Sequence, residues 1–475
     1  IYTQLKATPS MGETSDQKPY STSTIRNVII LACAVDAADK ALLPATFKAL
    51  SRQIDAGPAA LGALTFAQSI TFSVALPAWG SLMHCFSTRG LLVAGCCLWG
   101  AATLALAFTN SFAGQFVLRL VNGAALAAVN PLGQAVLCEL VPEAERGHTF
   151  GLLGSCSGAL AVFVGSVATG IGAGHVCGLE GWRFAHVVVA ALSFAVAAVL
   201  RVSMPPSLGA PSKEPSGSWC GEQARVVRKI CSKPSFLILV LQGVCGAIPW
   251  NGLSFLTLYF QLSGYTDWEA GRIMLVEGLG GIGGGWVGGA LGDRLARSAP
   301  CAGRVATAQA SILLGMVFFA WMLHVPNGPR SVVQVSGVAA AFRFTAGWSR
   351  AAACQPICGS IFRESRERAQ VLALWIATEG VVASVLGAPL AGALSEAFGF
   401  RLEKGSTAPS AANAGALRRA LMGVSMIPWL LCVLAWLPMY WTFPRDRCRE
   451  EDEEGLVVGC KVGYGAAGPD LRKAV

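Results

Sequence analysis

Charged residues are scarce in this sequence. Lys, Arg, Asp and Glu together make up 13% of its 475 residues, whereas soluble domains carry about 25%. A water-soluble protein of this size needs a polar surface, so the deficit excludes an ordinary soluble enzyme or binding domain. Hydrocarbon tolerates an apolar surface, but it admits only helices or closed β-barrels. The apolar runs extend without alternation over roughly 20 residues, the length of a membrane-spanning helix.

Motifs of several other protein classes are missing as well. The first 24 residues lack the apolar core of a cleaved signal peptide, so we expect the first span to act as the insertion signal and, because the chain begins at Ile1, a few native residues to precede it. No Walker A or H-E-x-x-H pattern occurs, which leaves ATP-driven pumping and zinc proteolysis unsupported. Most of the sixteen cysteines lie within apolar runs and none forms a zinc-type pair. We therefore expect no metal and no cofactor.

The sequence does contain twelve apolar runs, six before and six after a polar break. We predict an all-α polytopic membrane protein with twelve transmembrane helices in two pseudo-symmetric six-helix bundles. The predicted parts are a tail over 1–24, a bundle over 25–203, a linker over 204–233, a second bundle over 234–442 and a tail over 443–475. The linker is rich in Pro, Ser and Gly, which favours a flexible connection between two moving bundles.

Positive charge indicates the orientation of these spans. The formal net charge is +9, and most Lys and Arg residues fall in the two tails, the linker and every second loop. The positive-inside rule then predicts that both termini are cytoplasmic, which agrees with an even number of spans. No basic stretch is interleaved with exposed aromatic residues, so we expect no nucleic-acid partner. We expect a monomer in the lipid bilayer.

We predict that four ionisable residues of the first half lie at membrane depth, where charge is expensive unless it is paired or faces a cavity. Asp36, Asp39 and Lys40 fall in the first span. Two readings stay open: Asp36 and Lys40 neutralise each other at i,i+4 spacing, or Asp39 binds substrate or a proton. Arg119 lies in the fourth span, where an Arg costs about 2.5–3.5 kcal/mol. It either contacts substrate or anchors the structure.

The second half offers a similar set. Glu277 and Glu379 are acidic residues within the eighth and eleventh spans, and Gln242 and Trp250 flank the kink expected at Pro249. Two basic residues of the tenth span, Arg343 and Arg350, are cavity candidates by the same criterion. The predicted substrate- or proton-binding residues are Asp36, Asp39, Lys40, Arg119, Gln242, Trp250, Glu277 and Glu379. We expect Asp39, Lys40, Arg119 and Glu379 to line a midplane cavity.

A glycine- and charge-rich motif ends the eighth span. Residues 289–297 read G-A-L-G-D-R-L-A-R. The glycines allow close helix contact, and the charged groups can bond to neighbouring helix ends. We predict that this motif is a conformational gate, formed by Gly289, Asp293, Arg294 and Arg297.

The motif at 289–297 resembles the G-x-L-x-D-R-x-x-R signature of the major facilitator superfamily, and Arg119 with Gly123 resembles its R-x-x-x-G stretch. The segments VDAADKALLPATF and LGALTFAQSITFSVALPAWGSL resemble the spinster-like branch of plants and algae. This resemblance covers most of 25–442. It implies alternating-access transport of an amphipathic lipid such as a lysophospholipid or sphingoid base. Two positions depart from the pattern: His84 replaces a motif Asp, and Leu126 replaces an acid that many spinster relatives carry.

Other functions fit the same scaffold. A proton-coupled organic-anion or sugar symporter is the alternative within the transporter class, with a small molecule as substrate and protons as the coupling ion. A membrane receptor or sensor would bind ligand without moving it. An intramembrane enzyme would need a reacting constellation of side chains, and the sequence offers none, so we expect no enzymatic activity.

Overall fold

The computed structural model describes residues 21–83, 85–206, 232–325, 331–362, 365–401 and 410–453. Most of the predicted tails and linker lies outside these residues, as does His84. The described chain is helical apart from loops and one short hairpin, in which strand β1 (His175–Val176) pairs antiparallel with β2 (Leu179–Glu180).

The described part of the first half contains eight helices. They are α1 (Thr22–Ala45), α2 (Phe47–Ile54), α3 (Pro58–Leu82), α4 (Thr88–Phe108), α5 (Phe112–Leu126), α6 (Val129–Leu140), α7 (Glu143–Ile171) and α8 (Gly181–Ser203). The α5 and α6 helices form one membrane-length stretch that is interrupted just before Pro131. Proline lacks the N–H that would bond to the carbonyl four residues earlier, which explains the interruption.

The described part of the second half contains ten helices. They are α9 (Pro234–Gly252), α10 (Leu256–Leu262), α11 (Asp267–Ser298), α12 (Ala302–His324), α13 (Ser331–Ala346), α14 (Gln355–Ile361), α15 (Ser365–Leu386), α16 (Ala388–Ala397), α17 (Ala411–Ala435) and α18 (Met439–Glu453). A 3₁₀ turn joins α9 to α10, and a π-helical turn at Arg350–Cys354 leads into α14.

Nine helical stretches of the described chain are long and apolar enough to cross a membrane. The long helices α1 and α11, with 24 and 32 residues, are not among them. The α1 helix carries Asp36, Asp39 and Lys40, and α11 is rich in glycine, so both have lower hydropathy. If α1, α11 and the stretch α13–α14 are counted with these nine stretches, the described helices fit the predicted twelve spans.

The helices alternate in direction, which gives the bundle two faces. We call the end where α1 begins and α3 ends the terminal face, and the end where α1 ends and α3 begins the distal face. The two halves of the chain are joined most firmly at the distal face. Phe47 of α2 and Phe255 after α9 are fully buried there, with ring centroids 5.0 Å apart.

Glycines show that the seam between α7 and α11 is tight toward the distal face. A Cβ atom added at Gly271 would lie 2.6 Å from the Ser166 carbonyl oxygen, and one at Gly278 would collide with the Val162 side chain. Only glycine therefore permits this approach of the two helices.

The same seam is open toward the terminal face. A Cβ atom added at Gly147, Gly151 or Gly154 of α7, or at Gly285 of α11, would meet no atom within 4 Å. The seam between α3 and α15–α16 shows the same pattern, because Gly62 packs against the Ala388 carbonyl while Gly80 faces open space. The two halves are thus closed distally and separated at the terminal face.

Two polar contacts add to the distal closure. Lys48 Nζ of α2 lies 2.6 Å from Asp267 Oδ1 at the start of α11, and both side chains are largely buried. The backbone N–H of Ala59 donates to Glu396 Oε1 over 2.9 Å, which joins α3 to α16.

Candidate functional site

A cavity of about 650 Å³ lies between the two halves of the chain. One wall comes from α1, α3 and α7, and the other comes mainly from α9, α11, α13 and α15. This volume is in the range of cavities that hold small organic ligands. Its longer polar and charged lining residues are Lys40, Gln68, Asn251, Glu277 and Arg343.

An ion pair on α1 supplies the charge of the first wall. Lys40 Nζ lies 2.7 Å from Asp36 Oδ2, and it also sits 4.0 Å from the centre of the Phe72 ring. The Lys40 side chain is 32% exposed and lines the cavity, whereas the Asp36 side chain is 2% exposed. Asn130 donates to the same Asp36 oxygen over 3.1 Å, while Asp36 Oδ1 has no hydrogen-bond partner among the described residues. The i,i+4 pair suggested by the sequence is therefore present, and its basic member faces the cavity.

A second ion pair lies on the opposite wall. Arg343 Nε of α13 is 3.5 Å from Glu277 Oε1 of α11. The Arg343 guanidinium also lies 4.3 Å from the centre of the Trp250 ring, a cation–π contact from α9. The Arg343 side chain is 37% exposed, whereas that of Glu277 is 10% exposed. In the described residues, each half of the chain thus presents to the cavity one basic group that is paired with a more buried acidic residue.

Asp39 lies behind the cavity wall in a buried network. Thr103 of α4 and Asn122 of α5 both donate to its carboxylate, the latter over 3.2 Å. Gln68 of α3, which lines the cavity, donates to the Asn122 side-chain oxygen over 2.7 Å. Asp39 is fully buried. In the described chain, the side-chain amides of Gln68 and Asn122 connect it to the cavity by hydrogen bonds.

Arg119 is also buried, one turn before Asn122 on α5. Its Nη2 lies 3.2 Å from His186 Nε2, and His186 Nδ1 lies 2.8 Å from the Trp182 carbonyl oxygen. Because a carbonyl can only accept, Nδ1 carries the proton and Nε2 accepts from the guanidinium. Arg119 Nε has no partner in the described chain.

Two other predicted residues lie away from the cavity. Gln242 donates to the Leu239 carbonyl over 2.8 Å and borders a separate pocket of about 40 Å³. Glu379 lies 3.5 Å from Arg350, whose side chain is 66% exposed. Of the eight predicted residues, the cavity lining contains Lys40, Trp250 and Glu277. Asp39, Arg119 and Glu379, which we expected to line it, are not part of the lining in this structure, because each side chain turns toward partners within its own half. Their roles in binding substrate or protons stay predictions.

The predicted gate motif makes contacts within the second half. Asp293 accepts from Arg304 of α12 over 2.9 Å, and Arg304 also donates to the Ala352 carbonyl over 2.9 Å. Gly289 packs beside Ala351, while Arg294 and Arg297 are exposed. The motif therefore fastens α11 to α12 and to the π-helical turn at the terminal face. Its equivalent in the first half includes His84, which lies outside the described residues.

No group of three or more His, Cys, Asp or Glu side chains is placed to hold a metal ion in the part of the chain that the structure describes. The site is built from helix-borne charges and amides around an internal space, which suits binding of a solute.

Sequence comparison assigns the family. The family model described as Major Facilitator Superfamily matches residues 29–347, more than half of the chain. The chain belongs to the major facilitator superfamily. It is accordingly an integral, multi-pass membrane transporter. A superfamily member of Bacillus subtilis (strain 168), the uncharacterized MFS-type transporter YcnB, is 24% identical over 144 residues, an alignment that spans 30% of each chain.

Solved structures share the superfamily fold over almost the whole chain. A bacterial homologue of the human lysosomal transporter Spinster, inward-facing and unoccupied, superimposes with a TM-score of 0.75 at 18% identity, covering 91% of this chain and 99% of that one. A D-xylose-proton symporter gives 0.67 at 14% identity, covering 90% and 98%. The nucleoside transporter NupG gives 0.63 at 14% identity, covering 88% and 99%. At these identities the likeness establishes the fold alone.

Proposed function

We propose that this chain is a secondary transporter of the spinster-like branch that carries an amphipathic solute, of lysophospholipid or sphingoid type, by alternating access. The observation that carries the proposal is the cavity between the two halves, closed at the distal face and open at the terminal face, with one ion pair on each wall. A rocking of the halves would expose the same cavity to the other side.

The chemistry of the cavity supports an amphipathic solute. Lys40, Glu277 and Arg343 can hold a polar or charged head group. The apolar part of the lining could hold a hydrocarbon chain, and it includes Phe72, Leu76, Leu126, Leu253, Met274 and Ile376. A purely polar sugar would leave this apolar surface in contact with its hydroxyl groups, which disfavours it. Leu126 stands where many spinster relatives carry an acid, and it adds to the apolar part of the lining.

The two basic groups favour a second candidate, an organic-anion symporter. Lys40 and Arg343 both reach the cavity from opposite walls, so a small dianion could bridge them. This candidate differs from the first in needing no hydrocarbon chain.

We further propose that the terminal face is cytoplasmic, as the distribution of Lys and Arg predicts. The gate motif at 289–297 and the start of α1 then lie inside the cell, and the structure is the inward-open state. Asp293 and Arg304, bonded to each other here, would hold the second half rigid at its cytoplasmic end during the movement.

Flux into proteoliposomes tests this function. We expect protein-dependent uptake of lysophosphatidylcholine or sphingosine that saturates and shows counterflow, with little uptake of xylose or citrate. Counterflow separates a carrier from a receptor, because a receptor binds without exchange. Uptake of citrate without uptake of either lipid would contradict the lipid transporter and support the organic-anion symporter. Saturable binding of every substrate tested without any flux would contradict a transporter of either kind.

A further inference from the structure

The two carboxylates of α1 differ in what a bound anion could do to them. Asp39 accepts hydrogen bonds on both oxygens, from Thr103 and Asn122, and touches no cavity-lining charge. Asp36 depends on Lys40, its charged partner, and Lys40 faces the cavity. A ligand in the cavity can therefore change the partner of Asp36 directly, whereas it reaches Asp39 only through neutral amides.

An anionic group in the cavity would compete with Asp36 for the Lys40 ammonium. If the ammonium turned to the ligand, Asp36 would keep the Asn130 amide as its polar partner, with Oδ1 still unpaired and the side chain buried. A buried carboxylate without a counter-charge is unstable as an anion, so it becomes neutral by taking a proton. Because Asp36 is buried, loss of its ion pair with Lys40 leads to the uptake of one proton by its carboxylate.

From this geometry we propose that Asp36 is the proton-binding site of the transporter, and that Lys40 links its protonation to the binding of an anionic solute group. The proposal rests on the proposed transport function and names the coupling chemistry of the same cavity. The balance is simple. The ligand anion pairs with Lys40, one proton enters from the solvent through the terminal-side opening and bonds to a carboxylate oxygen of Asp36, and the site keeps its net charge.

The surroundings of Asp36 contain few rivals for that proton. The titratable groups near it are Cys33, Asp39 and Lys40 on α1 and Cys96 on α4. The two thiols are buried and neutral, so they do not take up a proton. Arg119 and His186 lie beyond Asp39 and bond to each other. Across the cavity, Glu277 has its own partner in Arg343, and in the described part of the chain this is the one comparable acid–base pair that lines the cavity.

Proton counting during ligand binding tests the assignment. The purified full chain in phosphatidylcholine nanodiscs is titrated at pH 7 in weak buffer with octanesulfonate, an anion that does not titrate, or with octyltrimethylammonium. Tryptophan fluorescence reports binding, because Trp250 lines the cavity, and a soluble pH indicator reports protons. We expect the wild type to take up close to one proton per bound octanesulfonate and none per octyltrimethylammonium. Its affinity for octanesulfonate should rise by up to about tenfold for each unit by which pH falls.

Three substitutions separate Asp36 from its neighbours. Asp36→Asn keeps the shape of the side chain and frees Lys40, so it should bind octanesulfonate tightly, independently of pH and without proton uptake. Lys40→Met should weaken octanesulfonate binding and also abolish the uptake. Asp39→Asn should retain one proton per bound anion. Circular dichroism and a monodisperse elution profile confirm that each variant is folded.

Several results would overturn the assignment. Proton uptake that persists in Asp36→Asn would contradict it. Proton uptake that disappears in Asp39→Asn would also contradict it, as would octanesulfonate binding by the wild type without protons. Failure of the transport proposal looks different. In that case anion-linked proton uptake at Asp36 is present while flux in proteoliposomes is absent.

Discussion

Replacing Arg343 by Met is expected to reduce substrate flux in proteoliposomes by at least about 100-fold. The substitution leaves Glu277, whose side chain is 10% exposed, in the cavity wall without its basic partner, and an unpaired buried charge is costly. It also removes the cation that sits on the Trp250 ring and faces the solute. The initial rate of lipid uptake at saturating substrate measures the loss.

Arg350→Met is the matched control. It makes the same chemical change seven residues further on, where the Arg350 side chain is 66% exposed and its partner Glu379 is 9% exposed, much as Glu277 is. We expect uptake within about twofold of the wild type, because both substitutions leave one buried glutamate without its partner but only Arg343 lines the cavity. The double variant with Glu277→Gln and Arg343→Met removes both charges and should be better folded than Arg343→Met alone. Wild-type flux in Arg343→Met would show that the cavity is not the transport site.

Gly278→Leu is expected to abolish transport by preventing closure of the distal face. Even a Cβ atom at this position would collide with Val162 of α7, and a leucine side chain is far larger. The protein should therefore be held open at the distal face, and a residue such as Ser166 should become reactive to water-soluble thiol reagents once it is replaced by Cys. Flux and the rate of labelling at Ser166→Cys are the two readouts.

Gly285→Leu provides the opposite test on the same helix. Its added side chain enters open space in the present state, so the distal-closed structure is unaffected. It should obstruct closure of the terminal face instead, which stops flux while Ser166→Cys stays protected. Gly415→Leu on α17 also meets open space and is away from the seam, so it should transport normally. Equal labelling of Gly278→Leu and Gly285→Leu would contradict the opposing roles of the two ends of the seam.

The parts of the structure that depend on local sequence were predictable. Apolar runs marked the spans, since each run must cover the same hydrocarbon thickness, and i,i+4 spacing suggested the pair of Asp36 with Lys40. The pairing of Glu277 with Arg343 could not be predicted from the sequence. The two residues were recognised one by one from the penalty of burying charge, but which of the buried charges meet depends on how α11 and α13 pack.

The hydrogen-bond network around Asp39 was even less predictable from the sequence. Gln68, Thr103 and Asn122 come from three different helices, and each is an ordinary polar residue in its own segment. A glutamine that faces the cavity cannot be told from one that faces its own backbone, as Gln242 does, without the rotation of the helix. Helix rotation is set by packing against neighbours, which the sequence of one helix does not contain.

The relative movement of the two halves can be measured directly by spin-label distances. Labels on unnatural residues at the exposed positions Glu145 and Ser298 report the terminal side, and labels at Arg52 and Ala397 report the distal side, without replacing any of the sixteen native cysteines. During exchange of a transported lipid, the terminal pair should populate a second, shorter distance and the distal pair a second, longer one. Single, unchanged distances for both pairs while flux proceeds would contradict alternating access.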